Sequence, residues 1–170
     1  NAHGGGVLFH EGRYYWFGEH RPAKGFSTEV GVTCYSSPDL CNWTYEGVAL
    51  PVSSEEGNDI EKGCIMERPK VIYNAKTGKF VMWFHLELKG EGYAAARAAV
   101  AVSDTPAGPY RFVRSCRVNP GVYPQNMTKA ERKAKLDTKD YKTWWTPEWR
   151  RAVEQGLFAK RDLKSGQMSR

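Results

Sequence analysis

Long apolar runs are missing from the 170 residues. No stretch approaches the roughly 20 residues that a membrane-spanning helix needs, and the first residues lack the pattern of an export signal. Cysteine is sparse. Cys34, Cys41, Cys64 and Cys116 are too few for a disulfide scaffold, and no C-x-x-C or His-paired spacing marks a metal site. Buried free thiols are the expectation. A charge excess of one sign is also absent from most of the chain. Residues 1–128 hold 13 Lys/Arg and 13 Asp/Glu, and the net +6 comes from residues 129–170, with 12 and 6. Mixed charges of that kind belong to solvated helix faces, and no nucleic-acid motif accompanies them, so nucleic acid is not an expected partner. Asn1 in place of Met is read as a start inside a longer precursor. A secreted, periplasmic or cell-surface protein whose export signal has been removed is the matching expectation.

What is present is aromatic and β-branched. Aromatic residues make up 13% of the chain, which favours β structure and sugar-stacking surfaces. The chain is organised around Cys64 to Leu88, CIMERPKVIYNAKTGKFVMWFHLEL. Two apolar runs, Val71 to Tyr73 and Phe80 to Phe84, flank an Asn/Gly-containing connection, the signature of a β-hairpin. Pro69 lacks a backbone donor and is placed at the head of the first strand, which puts Glu67 at the strand's mouth.

The first part of the chain has the same layout. Val7-Leu8 answers Val71-Ile72, and Tyr14 to Gly18 answers Phe80 to Phe84. Phe80 lies 66 positions after Tyr14, and Ser103 lies 66 after Ser37. Ser36 to Asp39 and Asp104 to Pro109 are turns, each leading to a short outer strand, at Trp43 to Val48 and at Tyr110 to Val113. Two sets of four strands at a fixed period predict radially repeated blades; a β-sandwich accounts for the strand spacing but not for the self-similarity. From about residue 119 the character changes. Thr128-Lys129-Ala130-Glu131 is a capping-box pattern, and Thr146-Pro147-Glu148 starts a second helix. The resulting division is two blades over residues 1–118, a helical insertion over 119–165, and the start of another blade at 166–170.

In a propeller the innermost strands line the axis, and ligands bind where they open. That convergence brings together His3-Gly4-Gly5-Gly6 and Glu67-Arg68-Pro69. Glycosidic hydrolysis needs carboxyl groups flanking the bond, which makes Glu67 the candidate catalytic residue. Glu19, His20 and Arg21 end the second strand of the first blade, and His85 and Glu87 hold the corresponding place in the second. Tyr93 and Arg97 follow a glycine-containing rim loop. His3, Glu19, His20, His85, Tyr93 and Arg97 are therefore the candidate substrate-binding residues. Arg97 stands alone among alanines and is expected to pair with Glu67 or Glu87. Trp16, Trp43 and Trp83 are expected to pack within the blades.

The segments HGGGVLFHEGRYYWFGEHR, GVTCYSSPDLCNWTYEG, ERPKVIYNAKTGKFVMWFHLE and AVAVSDTPAGPYRFV resemble glycoside hydrolase family 43, most of all its exo-β-1,3-galactanase branch. The resemblance covers residues 1–118 and resumes at 166–170. It implies an all-β, five-bladed β-propeller, about two blades of it here, with the active site at one end of the axis. The implied activity is hydrolysis of a plant-type polysaccharide, as exo-acting, inverting release of galactose from β-1,3-galactan. No cofactor is expected; a calcium ion on the axis suits such a fold, but nothing in this sequence indicates one. The family's usual first-strand aspartate is replaced by His3-Gly4-Gly5, a loss that the galactanase-like branch shares. The resemblance then implies that Glu67 takes part in the site, with Glu19 and Tyr93 binding sugar. The general acid is expected in later blades beyond Arg170, so these residues alone are expected to be inactive. The missing aspartate also keeps open a second reading, a catalytically silent carbohydrate-binding propeller.

Overall fold

The computed structural model describes residues 2–25, 27–93, 95–118 and Lys129. The chain separates into two compact units, residues 1–116 and 117–170. The first carries eight strands: β1 (His3–His10), β2 (Arg13–Glu19), β3 (Gly31–Ser37), β4 (Thr44–Pro51), β5 (Ile65–Asn74), β6 (Lys79–Glu87), β7 (Arg97–Ser103) and β8 (Arg111–Cys116). They form two antiparallel four-stranded meanders, β1-β2-β3-β4 and β5-β6-β7-β8. Apart from Lys129, the expected helical insertion and the strand restart at 166–170 lie outside the described residues.

The 66-residue period holds strand by strand. Tyr14 pairs with Ser37 as Phe80 pairs with Ser103. The inner strands are offset by 64, so that Val7 opposite Trp16 matches Val71 opposite Met82. The hairpin connections absorb the difference of two. β1 and β2 are joined by Glu11-Gly12, both with positive φ (47° and 80°), as a two-residue primed turn requires. β5 and β6 are joined by a four-residue loop in which the amides of Thr77 and Gly78 donate to the Asn74 carbonyl. The β3–β4 loop is held by Asp39, whose carboxylate accepts from the amide and side chain of Asn42 and from the Cys41 amide, and sits well below the usual carboxylate range as a result.

The core lies between the two sheets. Phe17, Val32, Cys34 and Leu50 of the first meet Val71, Phe80, Met82, Phe84 and Leu86 of the second. Each fully buried side chain of this size contributes about 1.5–3 kcal/mol relative to exposure. Tyr110, just before β8, adds an edge-on contact to Phe17 and donates its amide to the Ala49 carbonyl. At the other end Thr28 stitches the sheets: its hydroxyl accepts from the Met66 amide, and its own amide donates to the Cys64 carbonyl at 2.6 Å.

Three expectations need correcting. Pro69 does not head its strand. β5 begins at Ile65, and Pro69 falls in a bulge between Glu67 and Lys70 where Arg68 has φ 54°. A bulge leaves residues off the ladder, so the missing N–H costs nothing there. Trp83 is 49% exposed and does not pack inside a sheet pair. It stands 66 positions after Phe17, on the matching face of the second sheet, and nothing among the described residues covers that face as the second sheet covers Phe17. Trp16 does pack, against Tyr35 and Trp43, although Trp43 precedes β4 and is not interior to it. Of the four free cysteines only Cys34 and Cys64 are buried, and burial pushes both thiols up to about 12, which keeps them protonated and inert. Cys41 and Cys116 are exposed.

Candidate active site

The two inner strands open side by side, and each is bulged at its opening. In β1 the register shifts between His3 and Gly6, with Gly4 at φ 62°. The glycines there are demanded by space as well as by torsion. A Cβ on Gly5 would lie 1.4 Å from the Phe17 carbonyl oxygen, and one on Gly4 would lie 2.7 Å from Glu19 Oε1. Lys70 crosses from β5 and donates to the Gly5 carbonyl at 2.8 Å, tying the two bulges together.

The bulges place one carboxylate and one imidazole at matched positions in both sheets, with the order exchanged. His3 stands opposite Glu19, and Glu67 stands opposite His85. Both carboxylates are nearly closed off, Glu67 at 4% exposure and Glu19 at 5%. Buried charge of this kind is costly unless it is paired. Arg21, two residues beyond β2, meets that need: its Nε lies 3.3 Å from Glu19 Oε2 and its terminal nitrogen 3.6 Å from Glu67 Oε1. One guanidinium thus spans both carboxyl groups. His3 Nδ1 is 3.1 Å from Glu19 Oε1, and Arg68 reaches to 3.7 Å from Glu67 Oε2. The Tyr93 hydroxyl donates to Glu67 Oε1 at 2.5 Å. Glu67 Oε2 and His20 Nδ1 are buried and have no hydrogen-bond partner among the described residues.

Tyr93 titrates abnormally. Burial, the bond to Glu67 and the Glu67 charge together push its phenol up to about 12. It therefore remains an O–H donor through the neutral and alkaline range. The folded state holds this proton where the unfolded chain, near 10.0, has lost it. Its contribution to stability is full below pH 10 and falls as pH rises toward 12. The difference in tyrosinate absorbance between wild type and Tyr93→Phe is expected to show a midpoint near 12; a midpoint near 10 would mean that the hydroxyl is free.

Of the sequence-derived candidates, the structure gathers His3, Glu19, Glu67 and Tyr93 in one cluster. His85 joins it by stacking on Tyr93, with ring centroids 6.2 Å apart and planes at 11°. Arg97 does not meet either expected partner. Its guanidinium lies 3.2 Å from Asp59 and donates to Ser115, in a network at the far side of β7. The Asp59 carboxylate comes from the loop between β4 and β5, 38 residues away, a distance no strand pattern reveals. Arg21 is the residue that sequence reasoning undervalued; the run Gly18-Glu19-His20-Arg21-Pro22, charged residues closing a strand, was its only signal.

No protein-family model and no curated protein matches the chain. Solved structures do. Over its whole length the chain is 75% identical to a glycoside hydrolase family 43 β-1,3-galactosidase solved with galactodeoxynojirimycin, at a TM-score of 0.78. The chain belongs to glycoside hydrolase family 43. Over 69% of its length it is 48% identical to an exo-β-1,3-galactanase from Clostridium thermocellum, at a TM-score of 0.62. Over 67% it is 40% identical to the exo-β-1,3-galactanase of Phanerochaete chrysosporium solved with galactose, at a TM-score of 0.60. It spans 49% of the first of these chains and 24% and 26% of the other two. The two meanders are accordingly blades of the family 43 propeller, and the Glu19–Arg21–Glu67–Tyr93 cluster sits where their inner strands open.

Proposed function

We propose that this chain supplies part of the active site of an exo-acting, inverting glycoside hydrolase that releases galactose from β-1,3-linked galactan. The observation that carries this reading is Glu67: a buried carboxylate with one oxygen held by Tyr93 and Arg21 and the other, faced by Arg68 at 3.7 Å, without a hydrogen bond. A sugar hydroxyl or an attacking water fits that open oxygen. Glu19, fixed by Arg21 and His3, presents a second acceptor for hydroxyls of the same ring. The galactose and galactose-like ligands of the similar structures support a hexose of that stereochemistry. The proton donor to the leaving oxygen is assigned to blades outside this chain, whose relatives run to at least about twice its length. The mechanism invokes no cofactor. A polymeric substrate favours a secreted, periplasmic or cell-surface enzyme.

One feature favours a second reading. β1 presents His3 and three glycines to the axis and no carboxylate, as a sugar-binding propeller without activity would. Incubating the full-length protein with β-1,3-galactan separates the two. Free galactose as the first product is expected. Galactose binding without release would establish the silent propeller, and release from β-1,4-galactan alone would refute the linkage.

A further inference from the structure

We propose that His85 and Glu87 are positioning residues that seat Tyr93 and, through its hydroxyl, fix Glu67. Glu87 ends β6 with no exposure at all, which is an unusual place for a carboxyl group. Both of its oxygens are used. Oε1 lies 2.9 Å from His85 Nε2, and Oε2 accepts the Ala96 amide at 2.8 Å. Ala96 has φ 46°, a left-handed conformation that a residue other than glycine keeps only when its surroundings enforce it. It is the last residue of the loop between β6 and β7, and Tyr93 is carried on that loop. The other end of the loop is closed by the Glu91 amide donating to the Leu88 carbonyl.

Glu87 therefore acts at two points on the same object. Through Ala96 it anchors the loop backbone, and through His85 it sets the plane against which the Tyr93 ring lies. His85 and Glu67 are register partners on adjacent strands, so the phenol is held at its ring by one and at its hydroxyl by the other. The His85 side chain is 12% exposed and wedged between Glu87 and Tyr93, which suits a support more than a sugar contact. The consequence for catalysis rests on the function proposed above; the seating of Tyr93 does not.

The test uses the full-length protein with 3-fluorotyrosine at position 93, read by fluorine NMR, beside titration calorimetry with galactose. His85→Ala and Glu87→Leu are expected to shift or broaden the fluorine signal and to weaken galactose binding about tenfold or more, the scale of misplacing a binding group. His85→Phe keeps a flat ring beneath Tyr93, and Glu87→Gln keeps an acceptor for Ala96; both should recover most of the signal and the affinity. An unchanged signal in His85→Ala overturns the proposal. So does His85→Phe being as damaging as His85→Ala, since the imidazole would then act on the sugar itself. If Glu87→Leu does not fold, the His85 pair decides. A wild-type protein that binds no galactose would refute the functional reading, while the fluorine signals would still decide the seating.

Discussion

Replacing Glu67 by glutamine in the full-length protein is expected to lower galactose release at least about a hundredfold, the scale for losing a positioned acid–base group. The substitution is nearly isosteric. The Tyr93 hydroxyl can still donate to the amide oxygen, so the loop and the pocket walls should hold. What changes is charge. Arg21 keeps Glu19 while Arg68 loses the carboxylate it faces, and an amide can neither take a proton from water nor balance a developing cation. Far-UV circular dichroism should be unchanged. Near-wild-type turnover by the variant would remove Glu67 from the mechanism and leave it a packing residue of the β5 bulge.

The second large effect is on the fold. Gly5→Ala is expected to destabilise the protein by about 3 kcal/mol, the upper part of the range for forcing volume into a packed site. The added carbon would meet the Phe17 carbonyl oxygen at 1.4 Å and Gly18 Cα at 2.9 Å, which are backbone atoms with no rotamer to escape through. β1 must move away from β2, and His3 then leaves Glu19. Gly12→Ala provides the control. Its Cβ meets nothing within 4 Å, and only the turn conformation at φ 80° resists it, at a cost of about 1 kcal/mol. Urea midpoints for the two variants should differ accordingly; equal midpoints would mean that β1 is loosely held and that the glycine run serves only the turn.

The strands and their repeat could be read in the sequence because they rest on local signals. Val71 to Tyr73 and Phe80 to Phe84 are apolar runs on either side of turn residues, and Tyr14, Ser37, Phe80 and Ser103 hold a register that the ladders reproduce. Glu67, Glu19 and His3 could be grouped because strand order alone sends their strand ends to one place, and Tyr93 because it follows a glycine-containing loop at that rim. Partners across loops were not legible. Nothing near Arg97 announces Asp59, and nothing in the spacing of Glu19 and Glu67 shows that Arg21 spans them. The bulge at Arg68-Pro69 hid for a related reason: a proline reads as a strand boundary unless the neighbouring residue's positive φ is known. From sequence, Trp83 is expected to pack because it lies in the interior of a strand. Pattern states which face a side chain takes; it does not state whether that face is covered.

A crystal structure of the full-length protein soaked in galactose is the most direct test of the central claim, that the cluster of Glu19, Arg21, Glu67 and Tyr93 receives the sugar. The sugar is expected within hydrogen-bond distance of Glu67 Oε2 and of the Glu19 carboxylate, with Tyr93 still bonded to Glu67. Galactose bound elsewhere on the propeller, with Glu67 Oε2 still without a hydrogen bond, would contradict the account.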